Sequence, residues 1–352
     1  MNYLLISNMY PKNLFDTHGI FIKNIESGLI NYGVNVEKIV TYGRQKNLLL
    51  RLLQYFVLYI KILFCDFNKY DVIHISYPSH VYLPFLFRTS YKKKLVVRLH
   101  GHDLIPTTFI GTLLKYFTLL AVKNSTLTVV PSKFFYNKLV EFTTPTNSFI
   151  YPSGGIDLIK FNINKSKTYA TELKLGYVGR IVPGKGIDVL LEAINILDIK
   201  FNLLVIGDYN QDLKYKKLLL NYVHDNNLSD LVQFIGFVSN NEIIEYYRKL
   251  DLFIFPTLYE ESFGNVAIEA MASNVPVIGS NIGALKEYIV DRYNGYLFEP
   301  GDYLELCNRI VMFNNLSISE KLSFSSNARK TAEKYDKKYL NKAYLESLSS
   351  LF

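Results

Sequence analysis

Residues 252–272 read LFIFPTLYEESFGNVAIEAMA, a short apolar run followed by a loop and a stretch of small apolar residues. The apolar run has the length of a buried strand, and the later residues predict a helix that begins near Gly264. The first amides of such a helix lack partners and form a site for an anion or a hydroxyl group. Glu261 precedes this helix and Glu269 lies within it, so both carboxylates are expected to face one ligand with vicinal hydroxyl groups, such as a ribose or a hexose. The alternative roles are a helix cap for Glu261 and a solvated position for Glu269, although the apolar neighbours of Glu269 argue against the second.

Similar apolar runs recur along the whole chain. In the first half they are Tyr3–Ser7, Val36–Val40, Val72–Ile75, Leu95–Leu99 and Leu127–Val130. After a polar region at 151–171 they restart as Lys174–Val178, Asn202–Ile206, Val232–Ile235, Leu252–Phe255 and Val275–Ile278. Runs of this kind between amphipathic stretches predict an α/β fold of two doubly wound, Rossmann-like domains. We place the domains at 1–160 and 161–330, with a terminal helix at 331–352, and we expect ligands in a central cleft beyond the carboxyl ends of the strands.

The composition fits a folded protein of two domains, with 352 residues of which 49% are apolar and 20% are charged. Cys65 and Cys307 lie far apart in sequence, which excludes a disulfide scaffold and a four-cysteine zinc site and fits a reducing compartment. The N-terminal residues lack the basic start and the cleavage site of a signal peptide, so we expect a cytoplasmic protein.

The net charge of +8 is unevenly distributed. Residues 1–160 hold 18 Lys and Arg against 8 Asp and Glu, whereas residues 161–352 hold 21 against 23. The first half is therefore expected to meet an anionic partner. The most apolar stretch, Leu48–Phe67, lies in this half, and its uninterrupted runs are too short to span a membrane. It reads either as a core helix of the first domain or as a helix lying on an anionic membrane surface.

A glycine-rich turn follows the predicted strand Lys174–Val178. It reads GRIVPGKG from Gly179 to Gly186 and brings the two cations Arg180 and Lys185 to the end of the strand. A planar guanidinium and a compact ammonium together suit a diphosphate. The spacing differs from that of a Walker A loop, and no Ser or Thr follows Lys185.

Taken together, these motifs resemble the retaining glycosyltransferases of family 4, which have the GT-B fold. The resemblance rests on segments that follow one another in the family's order: 151–157 (YPSGGID), 179–186, 236–238 (GFV), 251–256 (DLFIFP), 261–272 and 294–298 (NGYLF). Asn274 stands where the family usually has Gly. The resemblance also implies that the terminal helix at 331–352 crosses back to the first domain.

The resemblance implies a nucleotide-sugar site in the second domain. Arg180 and Lys185 would hold the diphosphate, Glu269 the ribose, and Glu261 with the amides of 263–265 the transferred sugar, while the base would lie near 236–238. The donor-binding set so implied is Gly19, Gly179, Arg180, Lys185, Gly236, Phe237, Val238, Glu261, Ser262, Phe263, Gly264, Asn265 and Glu269. The residues implied to act on the reacting groups are His100, Arg180, Lys185 and Glu261.

Two places in the first half carry further candidates. His100 ends the strand Leu95–Leu99, and His100-Gly101 with Asp103 resembles the active-site histidine motif of the family. A metal site at His100, His102 and Asp103 is not expected, because no third cluster of ligands is visible. The loop after the first strand has His18 and Gly19 where the family usually has a pair of glycines, which makes His18 a candidate acceptor contact. Asp103 is a second candidate acceptor contact. The loop does not match the dinucleotide fingerprint of oxidoreductases.

The resemblance implies a retaining transfer of a sugar from a nucleotide diphosphate, with UDP or GDP expected, to a hydroxyl group. The leaving diphosphate would help to deprotonate the acceptor, so neither a metal nor a separate cofactor is required. The basic first half favours a glycan or polyprenyl-diphosphate-linked acceptor at the inner membrane surface, as in surface polysaccharide assembly. The alternatives are a phosphorylase or epimerase of the same fold, and a non-catalytic membrane partner. Nucleic-acid binding is not expected, because no base-stacking or groove-reading motif is visible.

Overall fold

The computed structural model describes residues 1–13, 16, 18–43, 45, 47–88, 90–152, 154–162 and 168–352. The chain forms two compact units, residues 1–155 with 337–352 and residues 156–336, which we call unit 1 and unit 2. The division after Gly155 lies five residues before the position expected from the sequence. The last helix packs within unit 1, and the preceding helix runs through residue 330 to Glu333.

Unit 1 contains a parallel sheet of six strands in the order β2-β1-β3-β4-β5-β6. The strands are β1 (Asn2–Tyr10), β2 (Asn35–Tyr42), β3 (Val72–Ser76), β4 (Leu95–Arg98), β5 (Leu127–Val130) and β6 (Ser148–Ile150). The helices are α1 (Ile20–Ile30), α2 (Leu48–Leu63), α3 (Pro78–Val81), α4 (Phe109–Lys123), α5 (Lys133–Val140) and α12 (Lys337–Leu351), with 3₁₀ turns at Phe67–Lys69 and Leu83–Phe87.

The helices of unit 1 lie on both faces of its sheet. One core cluster joins β1, β3, β4 and β5 to the buried sides of α2, α4 and α5, so these three helices share a face. The right-handed rule for parallel crossovers gives the same arrangement and places α1 on the opposite face. α12 packs beside α1, where the hydroxyl groups of Tyr3 and Tyr344 lie 2.9 Å apart and the Tyr151 hydroxyl donates to Asn341.

Unit 2 contains a second parallel sheet of six strands, in the order β12-β11-β10-β7-β8-β9. The strands are β7 (Leu173–Val178), β8 (Phe201–Ile206), β9 (Val232–Gly236), β10 (Leu252–Phe255), β11 (Val277–Ser280) and β12 (Gly295–Phe298). The helices are α6 (Ile187–Asn195), α7 (Leu213–Asp225), α8 (Ile243–Tyr247), α9 (Asn265–Ala272), α10 (Tyr303–Asn314) and α11 (Ile318–Glu333), with a 3₁₀ turn at Gly283–Glu287. Two apolar clusters pack on this sheet.

The order of the second sheet reverses direction between β7 and β10. From β7 the chain moves outward through β8 to β9, and it then returns to the other side of β7 to form β10 and β11. Ligands of doubly wound sheets bind beyond the carboxyl ends of the strands at such a switch point. The loops that follow β7 and β10 are therefore the ones to examine for a site.

The predicted fold class is confirmed, because both sheets are parallel and covered by helices. Ten strands were expected and twelve are present among the described residues. The two additions, β6 and β12, are edge strands of three and four residues. No helix in the described part of the chain is both long enough and apolar enough to cross a bilayer.

Candidate active site

The loop after β7 holds Arg180 and Lys185 at the switch point, immediately before α6. It turns into α6 at Gly186, which has φ +73° and whose missing side chain leaves room for the Pro256 carbonyl oxygen. That oxygen would lie 1.8 Å from a Cβ atom at residue 186, so only glycine fits both the conformation and the contact. The loop after β10 is thereby held against the loop after β7, and Gly184 strengthens the contact by accepting a 2.9 Å bond from the Leu258 amide.

The structure brings Lys185 and Glu261 together. The Lys185 ammonium donates a hydrogen bond to a Glu261 carboxylate oxygen, and both side chains are largely shielded from solvent. The Thr257 hydroxyl, which is fully buried, donates to the same carboxylate oxygen over 3.3 Å. The pair thus joins a cation and a carboxylate from two loops at one edge of the sheet. The sequence predicted both residues at the site but not their contact.

Glu269 lies on α9 and points toward α8. Its carboxylate accepts a 3.0 Å hydrogen bond from Tyr247, whose hydroxyl also lies 3.2 Å from the Val266 carbonyl oxygen. Burial raises the pKa of Glu269 to about 7, against the lowering by the Tyr247 hydrogen bond and by the charge of Lys160. The same burial, together with the carboxylate, raises the pKa of Tyr247. Glu269 is thus not a solvated helical residue. Its partner Tyr247 could not be predicted from the sequence.

The segment Ser262–Asn265 forms the turn into α9. Phe263 is buried against Tyr288 and Tyr335, and its carbonyl oxygen accepts a 2.8 Å bond from the Tyr288 hydroxyl. Gly264 lies at the start of the helix and has a left-handed backbone. Within the described part of the chain, the amides of 263–265 have no hydrogen-bond acceptor. These amides are available to an oxygen-rich ligand.

Arg180 and the segment 236–238 complete the candidates of unit 2. Arg180 is exposed, its carbonyl oxygen accepts a 2.9 Å bond from Tyr177, and its guanidinium has no hydrogen-bond partner among the described residues. β9 ends at Gly236, and the following Phe237 presents an exposed ring, whereas Val238 packs against the core. Gly179 follows β7, and its amide donates a hydrogen bond to the carbonyl oxygen of Ile206, the last residue of β8.

In unit 1, His100 follows β4 and lies between two aromatic rings. Its imidazole is stacked on Tyr77 with 5.6 Å between centroids, and the Phe21 ring lies 4.5 Å away on a tilt. Its Nε2 atom is buried and has no hydrogen-bond partner among the described residues. Burial, followed by the charge of Arg98 and by His74, keeps the pKa of His100 well below its usual range. The imidazole is therefore neutral at physiological pH, and the structure contains aromatic neighbours that the sequence did not predict.

Asp103, a candidate acceptor contact, lies inside the turn that follows β4. Its carboxylate accepts hydrogen bonds from the amides of His100 (3.1 and 3.0 Å) and Gly101 (2.8 Å), and its side chain is 1% exposed. Both carboxylate oxygens of Asp103 are therefore bonded within the turn and hidden from solvent. Burial raises the pKa of Asp103 to about 6, although the backbone amides lower it. We assign it to holding the turn that carries His100.

Gly19 and His18 follow β1 at the start of α1. Gly19 has φ +78°, and a Cβ atom there would lie within 2.9 Å of the backbone of Met9 and Tyr10. This glycine is thus required by its own strand, whether or not a ligand approaches. His18 is partly exposed, and its amide donates a 2.9 Å bond to Asp16.

Arg98 is a buried cation that could not be predicted from the sequence. It is 1% exposed, donates 2.7 Å to the Tyr151 carbonyl oxygen and lies over the Tyr151 ring, while its Nε and Nη1 atoms have no partner among the described residues. Its charge interacts with Tyr151, Tyr344 and Tyr3, and it lowers the pKa of His74 and His100. In the described ranges, no group of three or more His, Cys, Asp or Glu residues could hold a metal ion.

Comparison with known proteins agrees with this arrangement of motifs. Residues 159–331 match the model of the family described as glycosyl transferases group 1. These residues are a group 1 glycosyltransferase domain. They include the loops after β7 and β10, and the resemblance found in the sequence is confirmed.

Relatives of this chain include glycosyltransferases of bacteria and archaea. An uncharacterised glycosyltransferase of Methanocaldococcus jannaschii is 32% identical over 245 residues, which cover 68% of this chain and 64% of that protein. The capsular polysaccharide biosynthesis glycosyltransferase CapM of Staphylococcus aureus is 31% identical over 211 residues, covering 57% and 53%. The chain therefore spans a little over half to just under two thirds of the length of these two relatives.

Solved structures share the fold of both units. Sucrose-phosphate synthase from Thermosynechococcus elongatus superposes with a TM-score of 0.82 at 20% identity, over 100% of this chain and 99% of that one. Anabaena HepE in complex with UDP and glucose gives 0.77 at 21% identity, over 99% and 100%. The GT-B fold is thereby confirmed.

Proposed function

We propose that this protein transfers a sugar from a nucleoside diphosphate sugar to a hydroxyl group with retention of anomeric configuration. One observation carries the proposal: Lys185 and Glu261, from the loops after β7 and β10, meet at the switch point of the sheet in the group 1 domain. A cation for a diphosphate and a carboxylate for a hydroxyl group are the two functions that a nucleotide-sugar site needs.

Each remaining residue has a part in the proposed reaction. Arg180 and Lys185 stabilise the charge that grows on the diphosphate as its bond to the sugar breaks, and the amides of 263–265 offer further donors. Glu269 binds the ribose, and Phe237 lies against the base. His100 acts from unit 1 as a neutral imidazole that hydrogen-bonds the sugar. With these groups in place the reaction needs neither a metal ion nor another cofactor.

The expected donors are UDP- and GDP-sugars. HepE, with which this chain shares its fold, has been solved with UDP and glucose. CapM and the amylovoran biosynthesis glycosyltransferase AmsK of Erwinia amylovora are named for polysaccharide synthesis. We therefore propose a glycan or polyprenyl-diphosphate-linked acceptor and a role in surface polysaccharide synthesis.

Such an acceptor requires the enzyme to work at a membrane surface, and we propose that unit 1 binds the inner face of the cytoplasmic membrane. The helices α2, α4 and α5 contain six Lys and Arg residues and no Asp or Glu. α2 buries only Leu58 and Ile62, while Leu49 and Phe56 are 76% and 62% exposed. A core helix would bury most of its apolar side chains, so the exposure supports the surface interpretation of 48–67.

The α4 helix adds to the same surface. Phe109 at its start is 79% exposed, and Ile110, Leu113 and Tyr116 are also exposed. Because α2 and α4 pack on one face of the sheet, their exposed apolar side chains lie on the same side of unit 1. Apolar side chains with basic residues between them suit an anionic bilayer surface.

The test is to incubate the full-length protein with a panel of nucleotide sugars and with extracts containing polyprenyl-diphosphate-linked glycans, and to identify products by mass spectrometry. The proposal predicts one nucleotide sugar that yields a glycosylated lipid, with the donor's anomeric configuration kept in the NMR spectrum. Inverted configuration would contradict the retaining mechanism. Turnover that requires inorganic phosphate and no nucleotide would indicate a phosphorylase instead.

A further inference from the structure

An open groove of about 330 Å³ lies between α2 and the carboxyl-terminal part of β2. Its wall on the helix side includes Leu50, Leu53, Val57 and Lys61, which recur every three or four residues and so form one stripe of α2. Val40 contributes from the strand. From Leu50 to Lys61 the stripe extends about 16 Å along the helix axis. We call this feature the α2–β2 groove.

The lining of the α2–β2 groove is mostly apolar, and among the described residues that line it the charged one is Lys61. Leu50, Leu53 and Val57 are all more than two fifths exposed, so the groove is open to the surroundings of α2. Arg51 stands near the beginning of the helix and Lys61 near its end, and the helix has no acidic residue. An apolar channel with a lysine in its lining, on a helix that also carries Arg51, suits a hydrocarbon chain that carries an anionic head group.

The groove opens at the edge of the sheet that also carries His100. β2 and β4 end at the same edge, because all strands of this sheet are parallel. Three steps between neighbouring strands separate β2 from β4, a distance of about 14 Å. A lipid whose chain lies in the groove would thus bring its head group to within a short distance of the carboxyl edge, on the side of Arg51.

We propose that the α2–β2 groove holds the hydrocarbon chain of a polyisoprenyl diphosphate acceptor and directs its diphosphate toward the carboxyl edge of unit 1. The inference rests on the proposed function and adds the place where the lipid part of the acceptor binds. The group 1 domain, residues 159–331, does not include this groove, which lies in unit 1. The hydrocarbon chain of the acceptor enters the groove from the bilayer surface on which α2 lies, so the acceptor binds without leaving the membrane surface.

The probe for this test is farnesyl diphosphate with a photoreactive diazirine at the far end of its chain. It is irradiated with the full-length protein, and the labelled peptide is identified by mass spectrometry. We expect the label within residues 40–61. Val57→Trp should reduce labelling at least about tenfold, because the indole would take the volume that the chain needs. The matched control, Leu52→Trp, adds the same side chain to α2 outside the groove and should keep labelling within about twofold.

Competition experiments identify what the groove recognises. Unlabelled farnesyl diphosphate should displace the probe, whereas inorganic diphosphate at the same concentration should not. Arg51→Gln should abolish the preference for farnesyl diphosphate over farnesol. A label outside residues 40–61, equal loss of labelling in both tryptophan variants, or displacement by inorganic diphosphate would overturn the inference.

The wild-type protein is assayed in parallel for turnover of UDP- and GDP-sugars. Normal turnover with no label in the groove would reject the groove and leave the proposed function standing. Labelling as expected with no turnover of any nucleotide sugar would reject the proposed function and leave a lipid-binding groove.

Discussion

Replacing Glu269 with Gln should stabilise the protein above neutral pH while weakening its binding of nucleotide. The carboxyl pKa is raised by burial from its usual 4.5 to about 7 in the folded protein. The folded state therefore holds more protons than the unfolded state between pH 4.5 and 7, and stability falls as the pH rises through this window. At 1.36 kcal/mol for each pKa unit, the cost of ionising Glu269 is about 3 kcal/mol above pH 7 and absent below pH 4.5.

Glutamine keeps an oxygen for the hydrogen bond from Tyr247 and removes the charge. The free energy of unfolding of Glu269→Gln should therefore match that of the wild type at pH 4.5 and exceed it by up to about 3 kcal/mol at pH 8. Urea denaturation followed by circular dichroism at both pH values measures the difference. Glu245→Gln is the control, because Glu245 forms an exposed ion pair with Arg248 that contributes no more than about 1 kcal/mol.

The same substitution should cost affinity for UDP or GDP, because a hydrogen bond from a ribose hydroxyl to a charged carboxylate contributes about 1.5–3 kcal/mol, or roughly ten- to a hundredfold. A residue that destabilises the fold and yet binds ligand is typical of a functional site. A stability difference that does not change with pH, or a variant less stable than the wild type at pH 8, would refute the reasoning about burial. Unchanged nucleotide affinity would remove Glu269 from the site.

Three further outcomes are expected. Arg180→Ala should lower transfer by about 100-fold or more, since it removes a preorganised cation from the leaving group, and near-normal turnover of this variant would count against the donor site. The wild-type protein should keep full activity in excess EDTA, and a strict need for a divalent ion would count against the metal-independent mechanism. The purified protein should float with vesicles that contain anionic lipid and should be released by salt, because screening weakens attraction between exposed charges; equal recovery with neutral and anionic vesicles, or none with either, would reject the membrane surface. Arg98→Met should raise the pKa of His100, whose protonation the nearby guanidinium opposes, and an NMR titration in which that pKa does not move would show that burial alone keeps His100 neutral.

The central strands could be predicted because parallel strands that are buried on both faces are continuous apolar runs. Leu127–Val130 and Leu252–Phe255 were predicted with the bounds that the structure has. The edge strands β6 and β12 were missed because three or four residues at a sheet margin carry little pattern. The family's usual Gly at position 274 is Asn here, with φ +56°, a conformation that Asn tolerates better than most residues.

The residues of the candidate site could be named from the sequence, but their contacts could not. The Lys185–Glu261 pair joins positions 76 residues apart, and no local spacing encodes that meeting. Tyr247 reaches Glu269 from another helix, and Tyr77 stacks on His100 from another strand end. The hydrogen bonds from the amides of His100 and Gly101 to Asp103 depend on the shape of the turn, which the sequence pattern does not reveal. The alternatives for 48–67 stayed open because an apolar helix looks the same in sequence whether its side chains are buried or exposed.

The most direct test of the donor site is calorimetric titration of UDP and of GDP into the wild-type protein, Lys185→Ala and His100→Ala. We expect that one of the two nucleotides binds the wild type, that Lys185→Ala loses most of that affinity, and that His100→Ala binds as the wild type does while its rate of sugar transfer falls. Equal affinity of Lys185→Ala and wild type for both nucleotides, or a loss in His100→Ala as severe as in Lys185→Ala, would contradict it.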